Sequence, residues 1–222
     1  KHEHPTERFV GKVAVLGLGY GMGWERFKNT LQAGTLGGDP VIISEKEAKS
    51  IVYRYRSMNS YIKRYWDAAN LELYYMRQDD TYRKWGPLIV KPEKIEMPSG
   101  MCLKYPGLRV FGDSAEIGYN LTSPSDDEFD THKNTIRIHG RKLVENIIQS
   151  LSRNIVMEQT LEISKKFKVV LSVHDEVVCV VPVSEVEIAY QYMVQIMTTP
   201  PFWAKDFPLD ADGGFDDMYC KN

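Results

Sequence analysis

The chain has 222 residues, 28 Lys and Arg against 30 Asp and Glu, and 43% apolar residues, a globular composition long enough for one large domain or two small ones. No apolar run approaches the ~20 residues that a bilayer core demands, and 11% aromatics with a formal net charge of −2 exclude a disordered chain. Cys102, Cys179 and Cys220 form no close pair, which argues against a disulfide framework or a Cys-x-x-Cys zinc site and for a reducing, cytoplasmic location.

In chain order, the polar Lys1–Val10 segment is unlike a signal peptide, and the missing initiator Met fits a trimmed or excised piece. Thr6 is placed to cap a helix from Glu7 to about Ala33, ended by the Gly-rich 34–38 segment, although Val13–Leu16 has strand propensity. Ser44 and Glu47 make a capping box ahead of a long amphipathic helix whose apolar positions include Ile51, Val52, Tyr55, Ile62, Trp66 and Ala69. Residues 88–121 change period and predict a small antiparallel sheet with a tight turn at Pro98-Ser99-Gly100. Ser123–Asp130 is an acidic loop, and a long helix is expected over Lys133–Lys166. Two β-branched runs, Lys168–Val173 and Val177–Val181, flank His174-Asp175-Glu176, and a second capping box at Ser184 and Glu187 opens a helix to about Met197. The outline is α+β, with a boundary within residues 122–138. Charge divides in a similar place: residues 1–142 carry 22 basic and 18 acidic side chains, residues 143–222 carry 6 and 12. Such a split suits phosphate in front and metal behind, or simply two solvated surfaces.

Three groups of residues carry chemistry. Lys12–Gly23 superficially suggests a dinucleotide-binding turn, but G-x-G-x-x-G needs a third Gly where Met22 or Trp24 stands. Read as a helix, Arg8, Lys12, Leu16 and Tyr20 recur every four residues and share one face. A guanidinium fork and an ammonium one turn apart suit a triphosphate, and an aromatic ring further along can shelter a base. The alternative is a partly exposed amphipathic helix. In the second group, Asp175 and Glu176 sit together at a hairpin tip, where like-charge repulsion is relieved by a cation. Two carboxylates suit Mg²⁺, which binds one or two of them together with phosphates; the alternative is a solvated polar turn. His174 lacks a second His or Cys at zinc-ligand spacing, and His2, His4, His132 and His139 are scattered. The third group, Arg141, Glu145 and Gln149, forms a polar helical stripe able to hydrogen-bond minor-groove acceptors and sugars.

In this order and spacing the three groups resemble the C-terminal part of a family A DNA polymerase, particularly the bacteriophage branch. Arg8…Lys12…Tyr20-Gly21 resembles the fingers O-helix motif R-x₃-K-x₇-Y-G, Leu143–Val156 is similar to the palm helix with a DNA-contacting Gln, and Val173–Glu176 resembles the last catalytic motif. Met97–Gly100 and the Tyr53–Arg56 to Trp66 segment also resemble phage fingers. The resemblance implies a fingers subdomain over residues 1–132, with its O-helix-like segment at 6–33, and the rear of the palm over 133–222. It implies that Arg8 and Lys12 hold the dNTP triphosphate, with Lys12 also protonating the pyrophosphate leaving group. Leu16, in a slot usually held by Phe or Tyr, would sense the 3′ side of the sugar. Tyr20 would guard the nascent pair, Gly21 would admit the template base, and Arg141, Gln149 and His174 would contact primer-template DNA. Asp175 and Glu176 would share two Mg²⁺ ions. Glu145 stands where bacterial members have Asn, and Met101 where phage members have Arg. The family's other metal-binding Asp, in D-[YF]-S-x-[IL]-E, has no counterpart before Arg8. The expected activity is nucleotidyl transfer that depends on a complementing chain, in a naturally split polymerase first or a processed or truncated fragment second. A complementing chain would bring that Asp, the thumb, the front palm and any 3′–5′ exonuclease, all in the host-cell cytoplasm. The alternative is a catalytically incomplete nucleotide- or DNA-binding module.

Overall fold

A computed structural model of the chain describes residues 4–35, 38–111, 116–120 and 135–219. The acidic loop expected at Ser123–Asp130, His2, His132 and Cys220 lie outside these residues. The fold is α+β, as the sequence predicts. Helix α1 spans Pro5–Val13 and begins with proline in its first turn. The fixed φ of proline pre-sets that position, so the helix starts ahead of Thr6, and His4 occupies the cap without a side-chain bond. The single helix expected over 7–33 is interrupted. Ala14–Leu18 is a π turn, the chain bends at Gly19–Gly23, and α2 then covers Trp24–Gln32. Gly21, at φ 85°, supplies the bend, because a residue with Cβ is strained there. Val13, Leu18, Phe27, Leu31, Ala48 and Val52, with Phe9, form the core that binds these pieces to α3.

Helix α3, Glu45–Met58, opens with the expected box: the Glu47 N–H donates to Ser44 Oγ at 3.2 Å, and the Ser44 N–H donates to Glu47 Oε2 at 2.8 Å. That bonding holds the Glu47 carboxyl below its usual range. At Asn59 the helix breaks, and α4 follows over Ser60–Tyr75, burying Trp66, Ala69 and Leu73. The Asn59 side chain donates to the Tyr55 carbonyl at 2.8 Å and so competes with the helical ladder.

Strands β1 (Arg83–Trp85), β2 (Leu88–Lys91), β3 (Lys94–Glu96) and β4 (Cys102–Lys104) form one sheet in sequential order. The Pro98-Ser99-Gly100 turn is present, closed by the Met97 N–H on the Met101 carbonyl at 2.8 Å, with Gly100 at φ 81°. A second antiparallel sheet orders β5 (Arg109–Phe111), β6 (Glu116–Asn120) and β7 (Thr135–Ile138). The expected helix start at Lys133 is thereby corrected. Thr135–Ile138 is β-branched at three of four positions and pairs with β6, from Asn120↔Thr135 to Ile117↔Ile138. Helix α5 begins only at Gly140 and runs to Ser164.

Beyond α5, strands β8 (Lys168–Val173) and β9 (Glu176–Val180) make the expected hairpin, from Lys168↔Val180 to Val173↔Glu176, with a bulge between Val169 and Leu171. The second expected capping box does not form. Val183–Glu185 is a 3₁₀ turn, α6 spans Val186–Met197, and Glu187 instead accepts a bond from Gln191 at 2.9 Å. Two compact units result: Lys1–Thr81, Lys91–Lys94 and Lys104–Asn146 in one, and Tyr82–Val90, Ile95–Leu103 and Ile147–Asn222 in the other. Among the described residues no helix is long and apolar enough to cross a membrane.

Candidate functional site

In the first unit, Arg8 and Lys12 stand one turn apart on α1, both exposed. With Pro5, Thr6 and Phe9 they line a cleft of about 360 Å³, closed on its other side by Gly38 and Asp39. Asp39 sets a negative charge against the two cations. Gly38 packs against the Phe9 ring, where a Cβ would come within 2.2 Å of Phe9 Cδ2, so a side chain there would displace the ring. The four-residue stripe is regular only for Arg8 and Lys12. The π turn has a longer hydrogen-bonded loop than an α-helix; it carries Leu16, 48% exposed. Tyr20 and Gly21 fall past the helical part, in a turn closed by Gly21 N–H to Leu18 O at 3.0 Å and Met22 N–H to Gly17 O at 3.1 Å.

Two arginines grip that turn. Arg141, in the first turn of α5, donates to the Gly21 carbonyl at 3.1 Å, and a Cβ on Gly21 would come within 2.1 Å of Arg141 Cδ. Arg56, from α3, donates to the next carbonyl, Met22, at 3.1 Å. Burial, and then the charge of Arg141, lower the Arg56 pKa. The Arg141 guanidinium also lies 5.9 Å from the Trp66 ring centroid. Arg141 is thus brought to the Tyr20–Gly21 turn, while Gln149 is exposed further along α5. Sequence reading missed Arg56, because its bond spans 34 residues; the clustered Arg54 and Arg56 were the only available signal.

His139 precedes α5, and its Nδ1 accepts the Lys142 N–H at 3.2 Å while its carbonyl accepts the Leu143 N–H at 2.9 Å. It caps the helix that carries Arg141, and the cap requires an unprotonated Nδ1. Burial first, then Arg141, hold its pKa below the ordinary histidine value. With the folded pKa below the unfolded one, the unfolded chain takes up the proton first as pH falls. Its stabilisation is therefore complete above about pH 6.5 and is lost as pH falls through that value toward the lower folded pKa. His139→Asn keeps a capping acceptor without titrating. Melting curves at pH 7.5 and 5.5 should show a drop in wild type that this variant reduces; parallel drops would remove His139 from the cap.

In the second unit, β8 and β9 place Asp175 at the hairpin tip and Glu176 at the first position of β9. His174 adopts φ 54°, a left-handed turn residue. Its carbonyl accepts from Arg153 of α5 at 3.3 Å, which ties the tip to that helix. Glu176 Oε2 accepts the Tyr219 hydroxyl at 3.1 Å, and this bond raises the tyrosine pKa. The tail that carries Tyr219 is fixed by Phe215 against Tyr190, ring centroids 5.9 Å apart. Neither Tyr219 nor its anchor is visible in the sequence, since the bond spans 43 residues. On α5, buried Asn154 accepts from Ser99 Oγ of the Pro-Ser-Gly turn at 2.9 Å. Among the described residues no group of three or more His, Cys, Asp and Glu could hold a metal, so Asp175 and Glu176 form an oxygen-only pair. Such a pair fits a hard cation that completes its shell with water or phosphate. Cys102 and Cys179 are free thiols, and burial pushes the Cys179 pKa up.

The chain is 31% identical, over an alignment of 223 positions that covers 97% of its length, to a DNA polymerase of Bacillus phage SP02. It spans about a third of that protein's length, 33%. No protein-family profile and no solved structure matches the chain. The alignment runs through both units, so it relates the cleft and the hairpin alike to a phage DNA polymerase.

Proposed function

We propose that the chain forms the dNTP-binding fingers and the rear palm of a template-directed DNA polymerase of the family A type. The observation that carries this reading is the pair of cations, Arg8 and Lys12, on the rim of one cleft, in a chain aligned along nearly its whole length with a phage DNA polymerase. The reaction joins the primer 3′ oxygen to the α-phosphorus of a dNTP and breaks its bond to pyrophosphate. Such a transfer needs positioning and neutralisation of phosphate charge more than covalent chemistry. Arg8 binds the triphosphate through its fork and Lys12 as a point charge, and the Lys12 ammonium passes a proton to the departing pyrophosphate. Leu16 borders the sugar. Tyr20 covers the nascent pair, and the Arg141 side chain, which fills the space beside the Gly21 α-carbon, swings aside for the template base to approach Gly21. Gln149 and His174 contact the primer-template.

Asp175 and Glu176 hold Mg²⁺, and Tyr219 fixes the orientation of the Glu176 carboxylate. Bound Mg²⁺ supplies charge neutralisation at the attacking and leaving oxygens. Two adjacent carboxylates are too few to clamp two such ions, so a further aspartate must come from another polypeptide segment. That segment, in a separate chain in a split enzyme, also supplies the thumb and the front palm.

Titration of the chain with Mg²⁺–dNTP tests the cleft directly. Arg8→Gln and Lys12→Gln should each weaken binding about tenfold or more, as expected for a lost charged hydrogen bond. Wild-type affinity in both variants would contradict the assignment.

A further inference from the structure

The cleft of the first unit contains one side chain that a pure anion site would avoid. Asp39 lines it together with Arg8 and Lys12. Asp39 is exposed, and no hydrogen bond or ion pair among the described residues occupies its carboxylate. The short segment that carries it is anchored on both sides. Before it, Gly38 packs on the Phe9 ring of α1. After it comes Pro40, which biases Asp39 toward extended backbone and packs on Gly34, where a Cβ would come within 3.2 Å of Pro40 Cδ. The Val41 N–H then donates to the Leu31 carbonyl at 2.9 Å, tying the chain to the end of α2. Asp39 is thereby kept at the cleft by its backbone, across from the two cations of α1.

We propose that Asp39 makes the cleft select the metal-bound form of the nucleoside triphosphate, by attracting the Mg²⁺ carried on the phosphates and repelling the free nucleotide. Two cations alone would favour the free nucleotide, which carries more negative charge than its Mg²⁺ complex. A carboxylate on the facing wall reverses that preference. It raises the cost of bare phosphate oxygens nearby, and it offers a ligand to an ion already held by phosphates, the usual company of Mg²⁺ being one or two carboxylates, substrate phosphates and water. This role rests on the dNTP reading of the cleft and adds to it the residue that decides which form of the nucleotide enters. It is separate from the Asp175–Glu176 pair, which belongs to the other unit.

The test is calorimetric titration of the whole chain with dATP, once in EDTA and once in excess Mg²⁺ at matched ionic strength, read as the ratio of the two dissociation constants. Asp39→Asn keeps the size of the side chain and removes its charge. It should tighten free dATP about fivefold, the scale of one unit charge at close range in water, and leave Mg²⁺–dATP unchanged or weaker. Asp39→Glu should keep the wild-type ratio. The side chain is exposed, so melting temperatures should not move. Two results would overturn the proposal while the cleft stands. Equal tightening of both forms by Asp39→Asn would mark a carboxylate that only repels phosphate, and an unchanged affinity for both would mark one that does not face the nucleotide. A wild-type chain that binds neither form would remove the cleft reading as well.

Discussion

In a complemented polymerase, Asp175→Asn is expected to lower nucleotide incorporation by about 10³-fold or more, while primer-template affinity stays near the wild-type value. Asparagine keeps the size and the turn preference of the residue at the hairpin tip, so the β8–β9 register from Lys168↔Val180 to Val173↔Glu176 should persist. The variant removes one negative charge that would hold a cation against the reacting phosphates, where charge neutralisation makes the largest contribution to the rate. Glu176→Gln should cost less. Its amide oxygen can still accept the Tyr219 hydroxyl, which the carboxylate receives at 3.1 Å, and Asp175 retains its charge. Single-turnover incorporation at saturating dNTP checks both, and a loss under tenfold for Asp175→Asn would place the metal elsewhere.

Gly140→Ala should destabilise the first unit by about 3 kcal/mol, the upper range for overpacking a tight contact. A Cβ there would meet the Trp66 carbonyl oxygen at 2.1 Å and the Asn70 backbone nitrogen at 2.8 Å. Both belong to the backbone of α4 and cannot swing aside. The Gly140 N–H also donates to Asn70 Oδ1 at 2.5 Å, so displacing α5 breaks a bond as well as a contact. Arg141 is the next residue, and its grip on Gly21 should loosen together with the helix start. The same substitution at Gly11 is a control: nothing lies within 4 Å of a Cβ there, and replacing a mid-helix glycine should stabilise by up to about 1 kcal/mol. Denaturant unfolding of the two variants distinguishes the cases. A Gly140→Ala chain within about 0.5 kcal/mol of wild type would contradict the close packing of α5 on α4.

What the sequence discloses about this fold is mostly local. The Ser44–Glu47 box, the Pro98-Ser99-Gly100 turn and the 168–180 hairpin depend on residues at most a dozen apart, and each is legible in propensity and spacing. The interruption of the first helix is less so. Alternate glycines and a β-branched run are visible over 13–23, but Gly21 takes φ 85° in company with two arginines that arrive from 34 and 120 residues away. Pairing overrides helical periodicity at Thr135–Ile138, because β6 is available to it, and Glu187 finds Gln191 in place of Ser184. The candidate residues themselves are picked out by their motifs, Arg8 and Lys12 on the rim of one cleft and Asp175 and Glu176 at a hairpin tip, whereas the meeting of Arg141 with Gly21 has no signal in the sequence. The residues that brace the Gly21 turn and the hairpin tip, Arg56, Arg153 and Tyr219, act through tertiary contacts and have no short-range signature.

Primer extension tests most directly whether the Arg8–Lys12 cleft and the Asp175–Glu176 hairpin belong to a polymerase. The chain would be mixed with a polypeptide bearing a D-[YF]-S-x-[IL]-E segment and a thumb, with Mg²⁺, dNTPs and a primed template. Extension by the mixture, by neither component alone, and not by a mixture containing Asp175→Ala is the expected result. Absence of extension in every pairing, with primer-template binding intact, would contradict it and leave a nucleotide- or DNA-binding module.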